Sequence, residues 1–368
     1  MEAKKIRLGI LFGGKSAEHE ISLLSAKNVI AHLDRDKYEI ILIGIDKKGQ
    51  WHLRDRASFL LHAECVSKIQ LHDAGHSVAL VPQGNRKELM SYSGKEFQEA
   101  LCLDVIFPVL HGTCGEDGTM QGLLKLANIP FVGAGVLGSA VGMDKDVMKR
   151  LLRDAKIPVA RFLTLHAYNQ AQFPFEKVVD EIGLPFFVKP ANAGSSVGIA
   201  KVKAKEDFAA ALKEAFQYDR KVLLEEYIQG REIECCVLGN DHPRVSLPAE
   251  VIPHHEFYSY EAKYLDAQGA TYHIPAAISP EEIAKMQSLA IETYRVLCCE
   301  GMARVDFFLK ADGTFLVNEI NTLPGFRELS VYPKLWEASG LPCPALLDSL
   351  ITLAFERHAK ESALKTTF

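Results

Sequence analysis

The stretch from Met302 to Gly325, MARVDFFLKADGTFLVNEINTLPG, constrains this chain most, because it reads as two strands folded back on each other. At the two-residue period of a strand, Arg304, Asp306 and Phe308 share one face, and Val305, Phe307 and Leu309 share the other. Beyond Asp312-Gly313, Phe315, Val317, Glu319 and Asn321 likewise share a face. Asp-Gly between two such runs is a strong hairpin signal. With a two-residue turn at Asp312 and Gly313, Asp306 falls opposite Glu319 and Arg304 falls opposite Asn321. Facing strand side chains have Cβ atoms roughly 5 Å apart, so two carboxylates there repel. A divalent cation reverses that sign. Hard cations such as Mg²⁺ take carboxylate and amide oxygens and keep positions for water and phosphates. Asp306, Glu319 and Asn321 supply that ligand set. The plainer reading is a surface hairpin with its acids in water. The apolar strands that the acids terminate weigh against it, and a one-residue bulge would change the pairing.

The composition, 48% hydrophobic and 24% charged over 368 residues, is ordinary for a globular protein and allows two or three domains with a large core. A net charge of -5, with no basic run of five or more, argues against a nucleic-acid or membrane-surface partner and for a small molecule. The start, MEAKKIRLGILFGG, has only a short apolar run that fits a first strand, and no 18-residue apolar span occurs, so a cytoplasmic location is expected. Of eight cysteines, Cys235-Cys236 and Cys298-Cys299 are adjacent pairs in apolar runs and there is no CxxC, which predicts reduced core thiols.

Ile6 to Phe12 reads as a buried strand, Gly13-Gly14 as a tight turn, and Ser16 as the N-cap of a helix reaching about Leu33. A second strand at Tyr38 to Ile45 completes a βαβ rhythm and predicts a parallel sheet. Residues 9 to 16, GILFGGKS, formally satisfy a phosphate-loop pattern, but Ile10, Leu11 and Phe12 read as strand interior, and the match is rejected. Glu18, in the first helical turn, falls at the carboxyl edge of this sheet, where α/β proteins bind ligands. A favourable charge at a helix N-terminus explains it equally well. From Leu53 to about Lys95 the pattern weakens to loops, a short helix and an edge strand at Ser77 to Val81. Asp104 to Leu110 is again a strand, running into the glycine-rich turn His111 to Gly118 and a helix from Thr119. His111 either orients Glu18 or a substrate, or is hydrogen-bonded structure.

Asn128 to Gly138 reads as a connector, and Asp144-Lys145 opens a helix through Leu152. Phe186 to Pro190 is a strand, followed by the loop Asn192 to Gly198 and a strand from Ile199 to Val202. Small residues there let backbone N–H groups approach anionic oxygens, while Ser195, Ser196 and Lys189 add hydroxyls and a point charge. An ordinary Gly/Ser hairpin turn is the alternative. Lys205 to Phe216 reads as a helix, Lys221 to Leu224 as a strand leading into Glu225 and Glu226, and Glu232 to Leu238 alternates. Glutamates at such strand ends either hold ribose hydroxyls or are exposed edge charges, and Glu226 is read as the latter. Pro248 to Tyr264, rich in aromatics around Glu261 and Lys263, has no clean period and reads as a lid. A zinc reading for His254-His255 lacks the usual ligand spacing. Pro280 to Leu297 is a helix, and a short helix from Lys334 and an amphipathic one from Pro344 to about Ala359 follow the hairpin.

Taken together, GGKSAEHEIS at 13 to 22, HGTCGEDGTMQG at 111 to 122, MDKD at 143 to 146, FVKPANAGSSVG at 187 to 198, EAKY at 261 to 264, ARVDFF at 303 to 308 and NEINTLPGF at 318 to 326 resemble the ATP-grasp family. Within it they resemble the D-alanine–D-alanine ligases of bacterial peptidoglycan synthesis, over essentially the whole chain. The resemblance implies an α/β (α+β) protein of three-domain ATP-grasp architecture. An N-terminal parallel α/β domain at 1–138 would be followed by two antiparallel-sheet domains clamping ATP, at 139–231 and at 232–368 with the lid loop 248–264.

The resemblance also implies roles. Lys145 and Lys189 would contact phosphates and adenine, with Ser196 in the same loop, Glu225 and Ile228 the adenine edge, Glu232 the ribose and Lys263 the γ-phosphate. Asp306, Glu319 and Asn321 would hold two Mg²⁺ or Mn²⁺ ions. Glu18 would bind the ammonium of the first D-alanine with support from Ser195 and Tyr264, His111 would belong to the same substrate site, and Ser330 and the backbone of Val331 would take the carboxylate of the second. Arg304 and the Gly325 N–H would form an oxyanion hole. A homodimer acting on D-alanine and ATP is expected. The chain departs from the family pattern at Arg327-Glu328-Leu329, where threonine and small or polar residues are usual, at Cys114, and at Asn192-Ala193. Two competing readings are a D-alanine–D-lactate ligase and a nucleotide-binding homologue impaired in turnover. Tyr264 weighs against the first, and the intact Arg304, Asp306, Glu319, Asn321 and Lys189 set against the second.

Overall fold

The computed structural model describes residues 4–55, 59–62, 68–72, 76–82, 88–93, 96–254 and 270–365. Strands β1 (Ile6–Gly13) and β2 (Tyr38–Ile45) pair in parallel and are joined by helix α1 (His19–His32). Ile10, Leu11 and Phe12 are fully buried in β1, which makes them strand and rules out the phosphate loop. The helix starts later than Ser16 suggests. Glu18 occupies the N-cap position, and Ser16 Oγ instead accepts the Glu18 N–H at 3.1 Å. Glu18 therefore stands at the mouth of the helix rather than in its first turn.

The rest of the first sheet corrects the sequence reading. Strands β3 (Trp51–Arg54), β6 (Ser77–Leu80), β7 (Glu88–Ser93), β8 (Glu96–Cys102) and β9 (Val105–Val109) complete it in the order β8-β7-β6-β3-β2-β1-β9, with β4 (Leu60–Leu61) and β5 (Gln70–Leu71) forming a separate pair. Only β1, β2 and β9 run parallel, while β3, β6, β7 and β8 pair antiparallel. Ser77–Leu80 is an interior strand and β8 is the edge; among the described residues no helix lies between 53 and 95. Residues 96 to 100 of β8 are exposed, so this meander lacks the buried alternation that makes a strand legible.

Helices α2 (Thr119–Leu126), α3 (Val136–Met143) and α4 (Lys145–Asp154) follow. α3 begins in the last three residues of the stretch read as a connector and runs on to Met143. Its small residues serve close packing, since a Cβ on Gly138 would lie 2.4 Å from the Cys298 carbonyl oxygen. Asp144 caps α4 by accepting the Val147 N–H at 3.0 Å.

The second sheet contains β10 (Phe162–His166), β11 (Phe186–Pro190), β12 (Ala200–Val202) and β13 (Lys221–Glu226), all antiparallel in the order β10-β13-β11-β12. Helices α5 (Phe175–Ile182) and α6 (Lys205–Ala215) cover one face, where Leu165, Val178, Phe186, Val188, Phe208 and Leu224 form a core. The alternate residues, Lys189 and Glu225 among them, face the other way. Glu226 is not the exposed edge charge expected of it, because Arg161 donates to it from both its backbone N–H and Nε, at 2.7 and 2.6 Å.

The third sheet runs β17-β16-β14-β18-β19, with a short strand β15 (Arg244–Val245) beside β14 (Arg231–Leu238). β16 (Ala249–Pro253) and β17 (Ala270–His273) show that the segment read as a lid begins as a paired strand; its residues 255 to 264 lie outside the described residues. Helix α7 (Pro280–Val296) is capped by Ser279 and Glu282, each accepting the other's backbone N–H, and backs β18 (Met302–Leu309) and β19 (Phe315–Asn321). Two last helices, α8 (Val331–Ala338) and α9 (Cys343–Ser362), pack into the first sheet's core, where Tyr332, Trp336 and Leu350 join Leu8, Phe12 and Phe107. Among the described residues no single helix is long and apolar enough to cross a membrane.

The hairpin reaches the expected pairing by a different route. Lys310 donates its N–H to Thr314 O and Gly313 its N–H to Lys310 O, with Gly313 at φ +77°, so the turn has three residues and not two. Leu309, Phe308 and Phe307 consequently pair with Phe315, Leu316 and Val317. A bulge then adds Asn318, and Asp306 pairs with Glu319, Val305 with Ile320 and Arg304 with Asn321. The extra residue also separates faces that the sequence pattern joins. Phe315, Val317 and Ile320 enter the core behind the sheet, whereas Glu319 and Asn321 lie on the face of Asp306.

Candidate active site

Two cavities meet at Gly194, Ser195 and Glu319. The larger, of about 380 Å³, lies between the second and third sheets. Lys145, Lys189, Ser196, Glu225, Ile228 and Glu232 all line it, so the residues expected at a nucleotide converge there. The smaller, of about 120 Å³, is lined by Glu18, His111, Arg304, Gly325, Ser330 and Val331. Lys263 and Tyr264 fall outside the described residues.

Glu18 reaches across to the loop between β11 and β12, where its Oε1 accepts a hydrogen bond from Ser195 Oγ. This contact joins a helix mouth of the first sheet to a loop of the second. Two glycines make room for the carboxylate: a Cβ on Gly112 would come within 2.5 Å of Glu18 Oε2, and one on Gly194 within 2.9 Å. Ser195 and Ser196 hold φ of 52° and 60°, a left-handed conformation that costs non-glycine residues roughly 1–2 kcal/mol each. Such strain gathers where a loop must present its groups in one arrangement.

His111 is hydrogen-bonded on both ring nitrogens, to α1 and to the segment after β19. Its Nδ1 lies 3.1 Å from Leu323 O, an acceptor only, so Nδ1 carries the proton and Nε2 accepts from Ser25 Oγ at 3.0 Å. Ser25 Oγ in turn accepts the Phe326 N–H at 3.3 Å. The histidine thus ties the segment containing Gly325 to the first sheet. Glu116, a residue the sequence reading did not single out, lies 3.6 Å from His111 and lines the same cavity. Burial pushes its carboxyl above the usual range, the His111 ring opposes this, and the charge on Glu18 adds to it.

On the third sheet, Glu234, Asp306 and Glu319 stand in one row across β14, β18 and β19. Arg304 keeps the row from being simply repulsive. Its Nε and Nη2 donate to both oxygens of Asp306 at 2.7 Å, and its Nε is also 3.3 Å from Glu234 Oε2. Burial works against the guanidinium charge, but Asp306 and Glu234 outweigh it and raise its pKa. Asn321 Nδ2 donates to Asp306 Oδ2 at 3.2 Å. Lys145 Nζ donates to Ala193 O at 2.8 Å and lies 3.4 Å from Glu319 Oε2, linking the loop to the hairpin. Facing carboxylates with a neighbouring amide are hard oxygen donors, and this set fits a divalent cation. Glu234 was read from sequence only as part of an alternating strand, and its place beside Arg304 becomes visible only through the β14–β18 register.

At the far end of the smaller cavity, Ser330 is the N-cap of α8. Its Oγ accepts the Arg327 N–H at 2.9 Å, and its N–H donates to Arg327 O at 2.9 Å. A Cβ on Gly325 would lie 2.9 Å from Ser330 Oγ, so that backbone approaches the serine closely. The N–H groups opening α8 favour an anion, as helix N-termini do. Arg327 and Leu329 line the cavity beside them.

Residues 7–134 match the family model described as D-ala D-ala ligase N-terminus, and residues 151–352 match D-ala D-ala ligase C-terminus. The chain is 51% identical over 365 residues to a D-alanine–D-alanine ligase of Shouchella clausii, covering 99% of this chain and 98% of the relative. Among solved structures, the D-alanine-D-alanine ligase from Coxiella burnetii superposes with a TM-score of 0.83 at 40% identity, covering 98% of this chain and 97% of the other. The VanG D-Ala:D-Ser ligase from Enterococcus faecalis gives 0.83 at 34% identity, covering 95% and 100%.

Proposed function

The chain belongs to the D-Ala–D-Ala ligase family, and on that premise we propose that it uses ATP to join two D-alanines into D-alanyl-D-alanine for peptidoglycan precursor synthesis. The observation that carries the reading is the meeting of the two cavities at Gly194, Ser195 and Glu319, which brings an amino-acid pocket against a nucleotide-sized cleft.

Charge sets the sequence of steps. ATP occupies the larger cleft, with Ile228 and Glu225 toward the adenine, Glu232 toward the ribose and Lys145 and Lys189 toward the phosphates. Glu18, held by Ser195, takes the ammonium of the first D-alanine and turns its carboxylate toward the γ-phosphate. Attack by a carboxylate oxygen breaks the bond to ADP and leaves an acyl phosphate. Asp306, Glu319 and Asn321 would hold Mg²⁺ or Mn²⁺, two ions in this proposal, and such ions neutralise phosphate oxygens during transfer. The second D-alanine lies with its carboxylate at Ser330 and the Val331 N–H. Its amine, having lost a proton, attacks the acyl carbon, and inorganic phosphate leaves as the peptide bond forms. Arg304 and the Gly325 N–H face the oxygen on which negative charge develops; removing one such donor typically costs on the order of 100-fold or more in rate. Lys263 and Tyr264 complete the γ-phosphate and first-substrate contacts in this proposal, which also places the enzyme in the cytoplasm as a homodimer.

Incubating the protein with ATP, Mg²⁺ and D-alanine, then measuring phosphate release and identifying the product, tests the assignment. D-alanyl-D-alanine in step with phosphate is expected. Nucleotide binding without phosphate release, or an ester formed with D-lactate in place of the dipeptide, would overturn it.

A further inference from the structure

One charged group in the wall of the nucleotide cleft has no part in the steps above. Lys149 lies one helical turn after Lys145 on α4, and its side chain is only 1% exposed. Its Nζ stands 2.8 Å from Glu225 Oε2, while Lys189 Nζ donates to Glu225 Oε1 at 2.5 Å. Two cations from different elements therefore share one carboxylate that is itself 1% exposed. The cluster keeps one positive charge in excess.

Among the described residues, the other nearby anions have cation partners of their own. Glu319, on β19, lies against Lys145, and Asp144 and Asp146 of the α4 N-terminus are held by Lys221 of β13, with Arg150 also on Asp146. Burial lowers the pKa of Lys149, Glu225 raises it, Lys189 lowers it further, and the more distant Glu319 raises it. Burial alone would push the Glu225 carboxyl up, but the two lysines outweigh it and bring it to about 2. Those directions are what a net positive trio produces: its anion is firmly ionised, and the buried Lys149 is held below the ordinary lysine range.

We propose that Lys149 is a positioning residue for the polyphosphate of the nucleotide, holding one oxygen of Glu225 so that Lys189 is only partly neutralised and retains charge to offer into the cleft. The proposal rests on reading the larger cavity as the ATP site. An apolar residue at 149 would let Glu225 and Lys189 close into a neutral pair. Replacing a whole buried ion pair by apolar side chains is often neutral or stabilising, whereas removing one partner is costly because it strands the other; here Lys189 remains to pair Glu225, so Glu225 is not stranded when Lys149 is replaced.

The test compares ATP with adenosine by calorimetry on the full chain without D-alanine, in wild type, Lys149→Met and Lys149→Gln. Both variants should remain folded and bind ATP about tenfold more weakly, while adenosine affinity, which senses Glu225 at the adenine edge, falls by a smaller factor. Unchanged ATP affinity in either folded variant overturns the proposal. So does an equal loss for ATP and adenosine, which is the mark of a merely structural residue. Wild-type protein that binds no ATP at all sinks the nucleotide assignment itself, a result distinct from either.

Discussion

Asp306 and Glu319 stand directly opposite each other on β18 and β19, with an extra residue in β19, Asn318, between them and the turn. A three-residue turn alone would have set Asp306 against Asn318 and turned Glu319 toward the core. The bulge restores the acidic pair and puts it on the cleft face. Facing like charges cost stability in the absence of a counter-charge. Here Arg304 and Lys145 supply one.

Glu319→Gln relieves part of that repulsion and keeps an oxygen at the position. Thermal unfolding should therefore be unchanged or slightly higher, while ATP-dependent phosphate release drops by at least about 100-fold. Near-normal turnover would be incompatible with Glu319 as a metal ligand.

Gly194→Ala probes the pocket of Glu18. The glycine has no backbone need for its freedom, but an added Cβ would meet Glu18 Oε2 at 2.9 Å. Displacing that carboxylate should raise KM for the first D-alanine about tenfold or more, with the melting temperature within about 3 °C of wild type. An unaltered KM would remove Glu18 from the first-substrate site.

Glu225 has a folded pKa of about 2 against an ordinary 4.5, and it is fully buried. Because the folded value is the lower one, its ion pairs stabilise the protein above pH 4.5 and are lost as pH falls toward 2. A shift of this size corresponds to about 3 kcal/mol. Urea denaturation should find Glu225→Gln less stable by about that amount near neutrality, with the gap narrowing in acid. A gap constant from pH 3 to 7 would assign the loss to packing.

Glu234 lies 3.3 Å from Arg304 and opposite Asp306. It supports the guanidinium from the side away from Glu319. Glu234→Ala should lower kcat about tenfold by loosening Arg304, without changing ATP affinity. A parallel loss in nucleotide binding would show that Glu234 acts on the cleft and not through Arg304.

Much of this site is written in local sequence. Periodicity identified β1, β2, β11, β18 and α7, and glycine and serine runs marked the loops at 111–118 and 192–198, because a close backbone approach demands small residues there. The meander of β6, β7 and β8 was not legible, since its edge strand is exposed and carries no buried alternation. β10 and α5 leave no clear local pattern, and the first turn of α3 reads as a connector because small residues obscure its period. Pairing across the hairpin was legible only by coincidence, as two departures from the simplest turn cancel.

Residue type and spacing by themselves determined which chemistry is available: carboxylates and an amide at the hairpin, lysines around a glycine- and serine-rich loop, an acid beside two glycines. What only the tertiary structure decided is which groups share a partner. Lys149 and Lys189 converge on Glu225 from a helix and a strand 40 residues apart in sequence. Glu234 meets Arg304 from a neighbouring strand, and Glu18 meets Ser195 across two sheets. Ion pairing and hydrogen bonding act over a few ångströms of space whatever the separation along the chain, so their partners are set by register, bulges and packing and not by any local pattern.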